Sequence, residues 1–155
     1  WKWNESQADF YRYVKDLIEL RRSEPAFSRT EFAPHHAPDV RWYHRSGHLM
    51  NTGDWSNNTE RGLCVHWLGK DSGGKTPDGQ PLTGNDMLFI INPHSTTRDY
   101  VLPEVGDKPG KWERVLDTDL HQPFTAGMAF PIRENYNAAE RSVAVLRFVP
   151  DRNDS

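Results

Sequence analysis

The chain has 155 residues, and 19 Lys and Arg oppose 22 Asp and Glu, which gives a formal net charge of −3. This length suits one ordinary domain with its own hydrophobic core. Since neither sign of charge is concentrated in a block, binding to nucleic acid through counterion release is disfavoured. No apolar run approaches the ~20 residues of a membrane span, and no charged-then-apolar leader opens the chain, so we expect a soluble protein without a membrane partner.

The chain contains a single cysteine, Cys64, which has no partner for an internal disulfide. Because it lies in an apolar run, we expect a small buried side chain. This cysteine usage is typical of the reducing cytoplasm, and we expect a cytoplasmic protein. Trp1 is not a natural start, so we also expect that sequence preceding it has been removed.

The residues from Ser6 onward predict a helix, with Ser6 as the cap and Asp9 three residues later. The helix should end before Pro25, because proline restricts the preceding residue and cannot donate a backbone hydrogen bond. Apolar side chains recur at helical spacing. Those that share one face are Phe10, Val14, Leu17 and Ile18. This stripe needs cover from the following sheet or from a missing domain, which makes Phe10 and Leu17 candidate domain-interface residues.

After Pro25, short β-branched and aromatic runs alternate with turn-forming clusters, which is the pattern of an antiparallel β-sandwich. The predicted strands are Val40 to His44, Leu63 to Leu68, Met87 to Asn92, Arg98 to Leu102, Trp112 to Leu116 and Val143 to Phe148. The last strand alternates cleanly, and the pattern leaves open which face is buried. We therefore expect a mainly β fold preceded by one N-terminal α-helix, with an exposed loop between Gly69 and Asn85.

The sequence predicts neither a metal site nor a catalytic constellation. His44 and His48 have the spacing that places two ligands on one face of a helix, but Gly47 puts them in a strand and turn. Asp117 and Asp119 follow a strand two residues apart, which is more typical of a turn than of the paired carboxylates of a glycosidase. No nucleophile elbow is present. We expect no catalytic residue and no cofactor.

Six tryptophans are more informative, because sugars bind proteins by stacking their C–H faces on exposed aromatic rings. Trp42, Trp67 and Trp112 lie in predicted strands, where core or interface packing is expected. Trp55 follows Gly53 and precedes a polar run, so we expect it to project from a loop. Trp55 then either packs into a neighbouring domain, which is the alternative we favour, or contacts glucan. Trp42 and Trp55 are thus interface candidates, and Trp55 is the candidate carbohydrate-binding residue.

Six segments are distinctive when taken in chain order. They are Leu17 to Arg22 with Pro25 to Phe27 and Phe32; Asp39 to Trp42 with Gly47, Met50, Asp54 and Trp55; Leu88 to Asn92; Tyr100 to Pro103; Trp112 to Thr118; and Arg141 to Arg147. In this order they resemble the C-terminal part of bacterial glycogen debranching enzymes and isoamylases, members of the α-amylase superfamily of glycoside hydrolases. The run from Trp42 to Trp55 separates this group from ordinary amylases. His66 and Trp67 depart from it, since that strand is usually aliphatic.

The resemblance implies that residues 1–30 are the last helix of a missing catalytic (β/α)8 barrel and a linker, that residues 31–150 form the C-terminal β-sandwich, and that residues 151–155 fray. The barrel of such an enzyme hydrolyses α-1,6 branch linkages of glycogen or limit dextrin with an aspartate nucleophile, a glutamate acid/base and a second aspartate. All three would precede Trp1, so the implied role is an inactive accessory domain. Its partners would be the barrel and branched α-glucan. The alternatives are an independent carbohydrate-binding module and a protein-interaction domain.

Overall fold

The computed structural model describes residues 4–27, 40–69, 77–81 and 83–151. The elements in chain order are α1 (Glu5–Ser23), a 3-10 turn (Pro25–Phe27), β1 (Val40–His44), α2 (Thr52–Trp55), β2 (Leu63–Trp67), β3 (Met87–Asn92), β4 (Arg98–Val101), β5 (Gly110–Asp117), β6 (Ala129–Pro131), β7 (Asn135–Ala138) and β8 (Ser142–Pro150). No helix in these ranges is long and apolar enough to cross a membrane. Residues 28–39, which include the end of the predicted linker and the start of the predicted sandwich, lie outside the described residues, as do the middle of the loop after Gly69 and the end of the tail.

The strands form two antiparallel sheets, as predicted. The larger sheet has six strands in the order β1-β2-β3-β8-β5-β6, and the smaller sheet pairs β4 with β7. The sheets do not close into a barrel, and the mainly β, sandwich-like fold with one N-terminal helix is confirmed. β1 and β3 have the predicted bounds, and β2, β4, β5 and β8 end within two residues of theirs. The sequence did not predict α2, β6 or β7.

The six-stranded sheet buries side chains on both faces. One cluster lies between the two sheets, and the other lies between the large sheet and α1. The first contains Tyr43, Cys64, Leu88, Ile90, Tyr100, Leu102, Val105, Trp112, Tyr136, Ala138, Ala144, Leu146 and Phe148. The second contains Ala26, Met87, Leu116 and Val145, with Tyr13, Leu17, Leu20, Phe27, Trp67 and Phe89 among its partly buried members. The sequence left open which face of β8 is buried, and in the structure both faces of this strand are buried.

The helix α1 begins two residues earlier than predicted. Asn4, not Ser6, is its cap: the Asn4 side chain accepts from the Gln7 backbone N–H at 2.9 Å, and the Gln7 side chain accepts from the Asn4 backbone N–H at 3.1 Å. This reciprocal pair satisfies two backbone donors and so outcompetes a cap at Ser6. The helix ends at Ser23, as Pro25 predicts.

The apolar stripe of α1 faces the sheet only in part. Tyr13, Leu17 and Leu20 pack against the core. Phe10 and Ile18, which the sequence placed on the covered face, are 68% and 47% exposed. Tyr13, Leu17 and Leu20 lie in one row along the helix, and this row faces the sheet. One side of the predicted stripe is therefore packed on the sheet, and the other side is exposed. Leu17 contacts the sheet of this same domain.

The C-terminal end of α1 is tied to the sheet by a buried carboxylate. Glu24 is 4% exposed; it accepts from the Asn85 side chain at 3.0 and 3.2 Å and lies 3.6 Å from the Arg147 guanidinium. Arg147, on β8, also pairs with Glu113 at 2.9 Å. A buried carboxylate is tolerated when charged and hydrogen-bonding partners surround it. This cluster fixes where the helix leaves the sheet.

Asn92, the last residue of β3, connects the two sheets. It is 1% exposed, and its side-chain amide donates to the carbonyls of Thr96, Ala138 and Ala139 at 3.1, 3.1 and 2.7 Å. Tyr100 of β4 donates its hydroxyl to the carbonyl of Ile91 at 3.0 Å. Paired in this way, the buried polar groups hold β4 and β7 over the large sheet.

Candidate functional site

A row of side chains runs across four strands on the face of the large sheet that α1 covers. Val145, Phe89, Val65 and Trp42 stand opposite one another in the registers of β8, β3, β2 and β1. Val145 and Phe89 pack in the cluster beneath the helix. At the other end of the row, Trp42 is 43% exposed. Core packing of Trp42 is therefore wrong, because β1 is an edge strand that reaches beyond the cover of α1, and its packing in a domain interface stays a prediction.

Trp55 stands beside Trp42, also exposed. It lies in the one-turn helix α2 and not in the predicted loop, and it is 54% exposed. The two indole rings have centroids 5.7 Å apart and planes at 70° to one another. Trp67 and Trp112, in contrast, pack in the two cores as expected, Trp112 with no exposure.

The helix α2 is positioned by a capping box. The Asn51 side chain accepts from the backbone N–H groups of Gly53 and Asp54 at 2.8 and 3.1 Å, and Asp54 accepts from the Asn51 backbone N–H at 3.0 Å. The Trp55 backbone N–H donates to the Asn51 carbonyl at 3.1 Å. The spacing of Asn51 and Asp54 is the sequence signal that would have predicted this turn.

Two histidines lie next to the tryptophans. The hairpin after β1 returns at Gly47, whose φ is +88°, so that the rings of His44 and His48 stack with centroids 4.8 Å apart. As predicted, Gly47 places the two histidines in a strand and a turn, and this turn brings their rings together. A side chain at Gly47 would be strained by its φ and would meet Val101 at 2.9 Å.

Hydrogen bonds join these groups into a chain. The Ser46 hydroxyl lies 2.8 Å from Nδ1 of His44 and 2.8 Å from Nδ1 of His48, and Nε2 of His48 lies 2.9 Å from Asp54. Within the described ranges, no group of three or more His, Cys, Asp or Glu side chains is arranged to hold a metal ion. We call the set Trp42, His44, His48, Asp54 and Trp55 the tryptophan edge.

Asp54 is electrostatically stabilised as a carboxylate. The hydrogen bond from the Asn51 backbone, and next the one from His48, lower the pKa of Asp54 below its usual value. A hydrogen bond or a positive charge that favours the ionised form has this effect. The carboxylate therefore both caps α2 and orients the imidazole of His48.

The candidate carboxylate pair Asp117 and Asp119 forms a turn, as the sequence favoured. Asp117 is 7% exposed, accepts from the backbone N–H of Asp119 at 3.0 Å, and accepts a very short hydrogen bond from the Tyr136 hydroxyl. Burial and the neighbouring Asp117 raise the pKa of Tyr136. Both oxygens of Asp117 are thus used within the fold.

Cys64 and His66 are buried on β2. Burial raises the pKa of Cys64 to about 12, so its thiol is not a nucleophile at neutral pH. His66 has no exposure, lies 3.5 Å from Asp86, and packs edge-to-face on Trp112 with centroids 5.5 Å apart. Burial alone would raise the pKa of Asp86, but the nearby imidazole of His66 and a hydrogen bond from the Gly69 backbone N–H lower it overall. The unusual histidine of this strand thus packs in the core.

A second exposed apolar surface lies on the outer side of α1. Phe10, Tyr11 and Ile18 are 68%, 56% and 47% exposed. A groove of about 620 Å³ runs along this side, and a second of about 660 Å³ lies between α1 and residues 121–125. Neither groove includes Trp42 or Trp55. Trp42 and Trp55 are thus exposed outside these two grooves.

No family model matches the chain. It is 23% identical over 118 residues to an isoamylase of Pseudomonas amyloderamosa, and equally to an isoamylase of Pseudomonas sp. (strain SMP1). Each match covers 76% of this chain but 14% of the relative, so the chain spans a small part of the length of the curated relatives it matches. The similarity supports a distant relationship to isoamylases.

Proposed function

We propose that the chain is a C-terminal accessory domain of a cytoplasmic glycogen debranching enzyme, which packs beside the catalytic barrel and has no hydrolase activity alone. The distant similarity to isoamylases supports the parent class. Among the described residues, Asp117 and Asp119, the candidate carboxylates for glycoside chemistry, form a turn closed by internal hydrogen bonds. The substrate of the whole enzyme would be glycogen or another branched α-glucan.

The observation that carries this proposal is the two-sided character of α1. Its inner side packs on the sheet through Tyr13, Leu17 and Leu20, and its outer side exposes Phe10, Tyr11 and Ile18. Burial of each large apolar side chain contributes about 1.5–3 kcal/mol. A barrel on the outer side would gain this free energy and would make α1 a shared element of both domains.

Two measurements test the proposal. The pure 155-residue chain is incubated with glycogen, and release of linear chains is measured; we expect none. The longer protein that contains this segment is then assayed with and without residues 1–155; we expect debranching only with them, or a large loss of thermal stability without them. Release of linear chains by the pure chain contradicts the proposal, and so does a longer protein that is unaffected by the deletion.

The outer side of α1 can be tested directly in the longer protein. Phe10→Glu places a charge on the proposed contact and should lower the temperature at which debranching activity is lost. Met128→Glu is the matched control, because Met128 is 53% exposed and is not on α1. Equal effects of the two substitutions would contradict a contact through α1. Self-association of the pure chain that Phe10→Glu abolishes would instead assign this side to a second copy.

A further inference from the structure

We infer that the tryptophan edge is a binding site for an α-linked glucose chain. The identity of the sugar rests on the proposed function, since exposed indoles alone would accept several polysaccharides. The described residues expose few large apolar side chains away from α1. Three of them lie at this edge: Trp42 in β1, Leu49 in the hairpin after β1, and Trp55 in α2.

The geometry of the two rings suits a curved chain. A glucose unit presents an apolar C–H face that stacks on an indole, and an α-linked chain curves, so that successive units turn relative to one another. Trp42 and Trp55 meet at 70° with centroids 5.7 Å apart, which makes a corner and not a flat platform. A straight β-linked chain would fit coplanar rings better. The corner thus favours an α-glucan.

The backbone that carries each ring is held in place without a ligand, and the two rings contact one another. β2 pairs with β1 along its whole length, and the Trp42 carbonyl accepts from the Met50 backbone N–H at 2.9 Å. The capping box fixes the backbone of Trp55 through Asn51. A preorganised surface loses little conformational entropy on binding, which is a main cost of weak surface sites.

The polar groups of the edge match a neutral, hydroxyl-rich ligand. His44 projects from the same face of β1 as Trp42, about 7 Å further along the strand. Asp54 directly precedes Trp55, and its carboxylate is already paired with His48 and Asn51. Sugar hydroxyls can replace water at these groups. A protein domain that covered the edge would instead have to bury a carboxylate and two imidazoles, which is costly without specific partners.

Affinity electrophoresis of the 155-residue chain in native gels containing glycogen tests this site. We expect the wild-type chain to be retarded, and Trp42→Ala and Trp55→Ala each to weaken the apparent affinity about tenfold or more, the ratio expected for loss of a tryptophan hot spot. Phe10→Ala, which removes an exposed aromatic ring from α1, is the matched control and should leave retardation unchanged. A gel containing hydroxyethylcellulose should retard none of the proteins.

Thermal unfolding of each variant checks the fold, and both tryptophan variants should unfold near the wild-type temperature because both rings are exposed. Absence of wild-type retardation in glycogen overturns the inference, as does an equal loss of retardation in Phe10→Ala. If the wild-type chain is not retarded but Trp42→Ala destabilises the longer protein, the edge is a domain contact and the inference is wrong. Retardation in a chain whose longer protein does not debranch glycogen supports the site while rejecting the proposed function.

Discussion

The two exposed apolar surfaces, the outer side of α1 and the tryptophan edge, differ in how the fold holds them. The helix is attached through partly buried side chains and the carboxylate of Glu24, and none of its residues is fully buried. The edge is fixed by strand pairing, a hairpin and a capping box. A surface that is rigid alone is ready for a ligand. The side chains on a lightly packed helix, in contrast, become fully fixed only when another domain packs against them.

The largest expected effect is on the attachment of α1. Glu24→Ala removes the buried carboxylate that binds Asn85 and Arg147, and should lower the free energy of unfolding by about 2–3 kcal/mol. Glu140→Ala, which removes an exposed carboxylate 3.9 Å from Arg141, should change it by less than about 0.5 kcal/mol. Urea denaturation measures both. If the two variants are equally stable, Glu24 does not anchor the helix.

The next effect distinguishes the inner side of α1 from its outer side. Leu17→Ala should cost about 1–2 kcal/mol, because Leu17 is only partly buried against the core. Ile18→Ala should cost about 0.5 kcal/mol or less in the isolated chain, because Ile18 is 47% exposed. Urea denaturation again gives both values. In the longer protein the cost of Ile18→Ala should rise if the outer side is covered there.

A smaller effect is expected at the tryptophan edge. Asn51→Ala removes the cap of α2 and should cost about 1 kcal/mol of stability. It should also broaden or shift the indole N–H resonance of Trp55 in NMR spectra and weaken retardation in glycogen. Asn58→Ala, an exposed amide outside the capping box, is the control. An unchanged Trp55 resonance in Asn51→Ala would show that the cap does not orient the ring.

The smallest effect is a pH dependence at Asp54. Because its pKa is lowered in the folded protein, its stabilisation is fully present above the ordinary carboxyl pKa of about 4 and is lost as the pH falls through the lower folded-state value. Asp54→Asn keeps an acceptor for Asn51 but does not ionise. Urea unfolding of both proteins from about pH 7 to about pH 3 should show the wild type losing more stability on acidification. Parallel curves would contradict this.

Much of the fold could be predicted because its strands carry strong local patterns. Met87 to Asn92 is nearly all apolar, and Pro25 gives the end of α1. Of the three elements that were missed, α2 has a capping-box signal in its sequence, whereas β6 and β7 have no such pattern. β6 and β7 have three and four residues and are polar or proline-containing, so they depend on pairing with β5 and β4. Their positions follow from tertiary contacts that local sequence does not contain.

The candidate site was predicted less well because it depends on position within the sheet. An alternating strand pattern does not reveal which strand is at the edge, so the sequence did not distinguish the exposed Trp42 from the fully buried Trp112. The neighbourhood of His44 and His48 arises from a hairpin and not from helical spacing. Trp55 was recognised as exposed because its flanking residues are polar and turn-forming, which is a local property.

The position of the tryptophan edge follows from the width of the sheet. Strands lie about 4.8 Å apart, so a six-stranded sheet is about 24 Å across. A single helix with its side chains is about 10 Å wide. One helix therefore covers less than half of that face. The rest of the face stays exposed at the side of the sheet, whatever its side chains are. In this chain the uncovered strip includes the edge strand β1, which carries Trp42. The part of the sheet that the helix leaves uncovered is therefore an aromatic surface available for binding.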